Sequence, residues 1–194
     1  MALTALSDDS KILIKNVNIN PNRIGIVSIF RKMGITINFK NKRIYKGEKI
    51  ADIFVKSTNK LKAINCPEKL NSSAIDEFLI IFLVAAKAKG ISYFRDISEL
   101  NQKESPRLIW GSKILNSMGI KTRLTKNAIK IYGNPNLIIK KNIKIKNFLK
   151  DHRVFMMSVI AALTFKTEGK WDIYDVESIK TSFPTFLKTL KKLM

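Results

Sequence analysis

Apolar and polar positions follow two rhythms along the chain, one of period two and one of helical period, and the two alternate from end to end. The period-two runs predict strands over residues 11–17, 35–40, 51–56, 91–95, 121–124, 128–132 and 171–174. The amphipathic or wholly apolar runs predict helices over 22–33, 76–89, 106–118, 152–167 and 184–192. Boundary residues agree with this reading. Pro106 and Pro184 sit in a first turn, where a missing N–H is tolerated, and Gly34, Gly90 and Gly119 are placed to close helices in the left-handed conformation. Residues 1–7 read as the cut end of a helix.

Two helices are apolar nearly all round, the first carrying the run Phe78-Leu79-Ile80-Ile81-Phe82-Leu83-Val84-Ala85-Ala86. Such helices bury every face, so they belong in the middle of the domain. Phe82, Leu83, Ile109, Met157 and Val159 are accordingly expected in the interior. The helix–Gly–strand junction Lys32-Met33-Gly34-Ile35 resembles Ser117-Met118-Gly119-Ile120 at an offset of 85, and the helix starts at Asp76 and Asp151 correspond at an offset of 75. A period of this size implies a recurring α/β unit that packs its helices together beneath sheets.

Composition narrows the functional classes. The chain has 194 residues and a formal net charge of +21, with 45% hydrophobic residues, enough to build a core despite the charge. Such a balance attracts anions, from nucleic acid to small phosphorylated substrates. Yet 29 of the 36 basic residues are lysine, accompanied by 29 isoleucines and 16 asparagines, a coding bias that explains much of the charge without a polyanionic partner. Cys66 is the only cysteine and His152 the only histidine, which rules out an internal disulfide, argues against a Cys/His zinc site and makes a cytoplasmic setting the default. The longest apolar run is far shorter than the roughly 18 residues of a bilayer span, and the N-terminal residues lack the pattern of a secretory signal.

Three polar clusters stand at predicted helix starts: Asp76-Glu77, Lys103-Glu104-Ser105-Pro106-Arg107 and Asp151-His152-Arg153. Helix N-termini offer free N–H groups to anions, arginine adds two-pronged carboxylate or phosphate recognition, and neighbouring acid/base groups can move protons. Each cluster alone has a plainer explanation. Asp76 and Asp151 are ordinary N-caps, and Glu104 with Arg107 has the spacing of a surface ion pair.

In combination the strings are specific. Ile75-Asp76-Glu77-Phe78, the run from Arg95 through Lys103-Glu104-Ser105-Pro106-Arg107, Asp151-His152-Arg153 and Thr181-Ser182-Phe183-Pro184 resemble, in order and spacing, the second half of 5-enolpyruvylshikimate-3-phosphate synthase. Asn20-Pro21-Asn22-Arg23-Ile24-Gly25 resembles an Asn-Pro-Thr-Arg-Thr-Gly stretch of the same family. The resemblance implies an α+β fold of repeated βαβαββ units about a pseudo-threefold axis, helices inside and sheets outside. It also implies metal-free, cofactor-free transfer of the enolpyruvyl group of phosphoenolpyruvate to the 5-hydroxyl of shikimate 3-phosphate, through a tetrahedral ketal. By analogy Asp76 and Lys103 would meet the shikimate hydroxyls and help proton transfer, and Glu104 would handle the methylene proton. Arg107 and Arg153 would grip phosphoenolpyruvate, with His152 a secondary contact.

The chain departs from the family at several points. Pro106 replaces a common Asp, Asn22 replaces Thr, and Thr181 stands where some members carry a phosphoenolpyruvate-contacting lysine, which makes Lys180, one position earlier, the substitute candidate. Family members are about twice as long. The resemblance therefore makes residues 1–194 a single domain, the second of two, with an open sheet edge and a substrate site that needs the missing first domain for activity. A basic nucleic-acid-binding module is the alternative from another class. It lacks support in the sequence, where the lysines are dispersed and no aromatic-interleaved basic stripe appears.

Overall fold

The computed structural model describes residues 1–193. Its helices are α1 (Ala2–Leu6), α2 (Gly25–Lys32), α3 (Asn71–Ala74), α4 (Phe78–Lys87), α5 (Arg107–Met118), α6 (His152–Thr164) and α7 (Phe186–Leu193). Its strands are β1 (Lys11–Asn18), β2 (Thr36–Tyr45), β3 (Glu48–Lys56), β4 (Gly90–Phe94), β5 (Thr122–Leu124), β6 (Ile129–Gly133), β7 (Ile138–Ile139), β8 (Ile143–Ile145), β9 (Lys166–Thr167) and β10 (Trp171–Ile173). Two antiparallel three-stranded sheets, ordered β1-β3-β2 and β4-β6-β5, are joined by two short parallel pairs, β8 with β10 and β7 with β9. This is the expected α+β arrangement, with helices packed on one another beneath sheets.

Helix α4 lies at the centre and touches α1, α2, α5 and α6. Its residues are buried from Phe78 to Ala86 with the single exception of Ile80, as an all-round apolar helix requires. Phe78, Phe82 and Phe94 form a ring cluster with centroids 5.2–5.9 Å apart. Of the residues expected inside, Phe82, Leu83 and Met157 are buried, Val159 is only partly so, and Ile109 is 36% exposed. The error at Ile109 has a geometric cause. Helix α5 presents only one flank to α4 and α6, and Ile109 lies on the other.

Element boundaries shift where local hydrogen bonding overrides periodicity. The first long helix begins at Gly25 and not at residue 22, because Pro21–Arg23 forms a separate 3-10 turn capped by Asn20, whose side chain accepts from the Asn22 N–H at 3.0 Å. Gly34 and Gly119 do close helices, with φ of 94° and 99°. Gly90 does not. The chain is already extended at Ala88, and Gly90, at φ 108°, opens β4. The helix from His152 stops at Thr164, so that Lys166–Thr167 can pair with β7. The final helix starts at Phe186, two residues later than expected.

Strands β2 and β3 are one long hairpin, joined through Lys46 and Gly47, both at positive φ, as a two-residue turn between twisted strands demands. The polar stretch Asn41-Lys42-Arg43 hides this in the sequence. It is a bulge with Asn41 at φ 50°, facing a second bulge in β1 with Asn16 at φ 58°. Buried Asp52 stitches both, accepting from Asn41 Nδ2 at 2.8 Å and the Asn16 N–H at 2.9 Å, and these bonds hold its carboxyl below the usual range. Among the described residues β1 and β2 have no further strand beyond them, so this sheet has open edges. No helix there is long and apolar enough to cross a membrane.

Candidate active site

The N-terminal ends of α5 and α6 and the 3-10 turn Ile75–Glu77 before α4 meet at one place, which brings side chains tens of residues apart into contact. Arg107 is the hub. It is only 2% exposed, and its Nε donates to Asp151 Oδ2 at 2.9 Å while Ser105 Oγ donates to the same oxygen at 2.8 Å. Its Nη1 reaches Asp76 Oδ1 at 3.4 Å, and its Nη2 pairs with Glu104. Lys103 Nζ lies 3.8 Å from Asp76 Oδ1 and 2.8 Å from Glu99 Oε1. Arg153 approaches from α6, with Nη1 donating to the Asp76 carbonyl at 2.5 Å and Nη2 lying 3.7 Å from Asp76 Oδ2.

Asp151 is fully buried and does two things. Its side chain caps α6, accepting from the Arg153 N–H at 2.9 Å, and it holds the Arg107 guanidinium in place. Burial would push its carboxyl up, but the bonds from Arg107 and Ser105 outweigh that and hold it below the ordinary range. The residues leading into it are backbone-strained. Asn147, Leu149 and Lys150 have φ of 61°, 55° and 54°, a left-handed conformation that side chains rarely adopt and that only the surrounding structure can maintain.

Glu77 lies beside Arg153 at 3.8 Å, and burial raises its carboxyl despite that cation. His152, half-buried, is held below its ordinary value by burial and by the neighbouring Arg153 charge, which favours the neutral imidazole. Lys180 stands apart. It is exposed, pairs with Glu177 on the surface and makes no ion pair with the cluster. Two cavities flank Asp76, Glu77 and Arg153. One is polar, about 340 Å³, lined also by Asn22, Arg23, Ser72 and Ser73. The other is an apolar groove of about 260 Å³ reaching Met156, Phe183 and Phe186.

The sequence shows Asp151 only as a cap and gives Ser105 no role, because Asp151, the partner that Ser105 and Arg107 share, lies 46 and 44 residues from them. The signal available was that a buried arginine requires a buried carboxylate.

Over residues 1–190 the chain matches the family described as EPSP synthase (3-phosphoshikimate 1-carboxyvinyltransferase). The chain belongs to the EPSP synthase family. Among curated relatives, the 3-phosphoshikimate 1-carboxyvinyltransferase of Ruthia magnifica is 37% identical over 193 residues, covering 100% of this chain and 43% of the relative. That of Synechococcus elongatus is 36% identical, covering 100% and 42%. An EPSP synthase structure from Acinetobacter baumannii superposes with a TM-score of 0.91 at 34% identity over 99% of this chain and 43% of that one. The enolpyruvyl transferase NikO from Streptomyces tendae, at 14% identity and a TM-score of 0.71, shares the fold. The chain thus spans less than half the length of the EPSP synthase relatives it matches. The cluster around Arg107 is built from the strings that carried the family resemblance.

Proposed function

We propose that this chain forms one wall of an active site that transfers the enolpyruvyl group of phosphoenolpyruvate to the 5-hydroxyl of shikimate 3-phosphate. The observation that carries the reading is the meeting of Lys103, Glu104, Arg107 and Arg153 around Asp76, in a chain of the EPSP synthase family. In this reading residues 1–194 correspond to the second domain of the longer relatives. Arg107 and Arg153 hold the anionic groups of phosphoenolpyruvate, exchanging part of their present carboxylate pairing for substrate. Asp76 and Lys103 sit at the hydroxyl and take its proton as its oxygen bonds to C2 of phosphoenolpyruvate. Glu104 delivers a proton to C3, which becomes a methyl group in the tetrahedral ketal. Elimination then returns a methyl proton to a base, breaks the C2–O bond to phosphate and releases phosphate.

His152, kept neutral beside Arg153, serves as a secondary contact. Lys180 can join the phosphoenolpyruvate subsite only by leaving Glu177. One wall cannot exclude water or align two anions, and lost alignment removes several kcal/mol of barrier lowering. We therefore propose that full activity needs the part of the relatives that this chain does not span.

The test is phosphate release from the two substrates by the chain alone and by the chain joined to, or mixed with, the remaining segment of a relative. The expected result is no release alone and turnover when combined. In the combined enzyme Glu104→Gln should lower kcat far more than it raises KM, whereas Arg153→Ala should chiefly weaken phosphoenolpyruvate. Turnover by the chain alone would make the second wall dispensable, and near-normal kcat in the Glu104→Gln enzyme would remove that carboxylate from the mechanism.

A further inference from the structure

The β4-β6-β5 sheet turns Ser92, Phe94, Ile129 and Ile131 inward, all fully buried. Its other face looks to solvent, and strand register sorts that face into two rows. In one, Tyr93 lies opposite Lys130, which lies opposite Arg123. In the other, Ile91 lies opposite Tyr132, whose N–H bonds to the Lys121 carbonyl. The segment around Asn65 adds a fourth strand-like edge, paired with Tyr93. Both tyrosine rings carry cations: Arg95 at 5.1 Å and Lys130 at 4.8 Å from the Tyr93 centroid, Lys121 at 5.3 Å and Arg123 at 5.9 Å from that of Tyr132.

We propose that this face binds single-stranded nucleic acid. Tyr93 and Tyr132 are diagonal neighbours on adjacent strands, about 7–8 Å apart by sheet geometry. Aromatic side chains so placed on a sheet stack successive unpaired bases, and the surrounding lysines and arginines then pair with phosphates. Cation–π contacts at exposed sites are weak, so a base can displace the cation from the ring while the cation moves to the backbone of the same strand. Charge points the same way. Within the two rows there is no carboxylate, and at the rim Glu68 is 3.1 Å from Arg95 while Asp96 accepts from Asn127. The net charge of +21 supplies long-range attraction for a polyanion. A duplex fits less well, because its bases are stacked away from the rings and the face is a sheet with no element raised to enter a groove. A membrane fits less well too, since Ile91 is the one large exposed aliphatic residue in the rows. These rows share no residue with the site around Arg107, so the proposal does not depend on the reading of that site.

The test is fluorescence anisotropy of a labelled oligothymidylate titrated with the full chain across a salt series. With four cations engaged, the slope of log K against log salt should be about −3. The Tyr93→Ala, Tyr132→Ala pair should weaken binding roughly a hundredfold, and the corresponding Phe pair should retain it, because stacking needs the ring and not the hydroxyl. Replacing Lys121, Arg123 and Lys130 with Gln should flatten the slope by about 2, whereas Lys188→Gln, Lys191→Gln and Lys192→Gln on α7 should change neither quantity by more than about twofold. Equal affinity for heparin with no response to the tyrosines, tighter binding of a duplex of the same length, or binding of anionic vesicles without oligothymidylate would each overturn the proposal. Should the alanine pair fail to fold, the glutamine variants decide, and an unchanged slope sinks it.

Discussion

Removing the Asp151 carboxylate tests the electrostatic architecture of the site most directly. Asp151 is fully buried and Arg107 is 2% exposed, so Asp151→Ala leaves a guanidinium in the interior without its one buried carboxylate partner. Breaking one side of such a buried pair costs about 3–5 kcal/mol. Here the half-exposed carboxylates of Asp76 and Glu104 still reach Arg107, which places the electrostatic loss near the lower end, about 3 kcal/mol. The lost cap at the Arg153 N–H adds about 1 kcal/mol. Urea unfolding monitored by circular dichroism reads the total as a drop in midpoint at constant slope. Acid dependence gives an independent check. The carboxyl is depressed in the folded state, so its contribution is present above the unfolded value of about 3.9 and is lost as pH falls through the lower folded value. Asp151→Asn keeps the shape but should lose that share of the acid-dependent decline. A loss below about 1 kcal/mol for Asp151→Ala, or an acid profile for Asp151→Asn that parallels the parent, would refute the claim that this pair organises the site.

Two further predictions concern the interior. Phe82→Ala should cost about 3–5 kcal/mol, since the ring is buried among Phe78, Phe94 and the inner helices, whereas Ile109→Ala should cost less than about 1 kcal/mol because Ile109 is largely outside the core; chemical denaturation of both variants compares them. Burial pushes the Cys66 thiol up to about 11, so at mildly alkaline pH a thiol reagent should label the folded chain at least roughly a hundredfold more slowly than the urea-unfolded chain; comparable rates would mean that the packing around Cys66 opens freely.

Helix content and the buried centre were readable because they rest on local periodicity. An all-round apolar run such as Phe78–Ala86 has no face it can leave in water, so it reports burial without knowledge of its neighbours. Helix and strand ends were read less well. Asn20 capping a separate turn, Ala88 extending before Gly90, and Lys166–Thr167 joining β7 all depend on hydrogen-bond partners outside the window that periodicity samples. Of the short parallel strands only β10 was legible, within the run 171–174; β7, β8 and β9 had no signal, since so few residues carry no period.

The chemistry divides along the same line. The strings around Asp76, Lys103, Arg107 and Arg153 carry the family by themselves, because residue types at fixed spacing survive without knowledge of the fold. Tertiary structure alone decided that Asp151 holds Arg107 from 44 residues away, that Lys180 faces Glu177, and that Tyr93, Lys130, Tyr132 and Lys121 share one sheet face. The sequence determined which side chains and local conformations were available. Pairing across strands and between helix starts determined which of them meet, because side-chain contacts act over a few ångströms and the chain brings distant residues that close only when it packs.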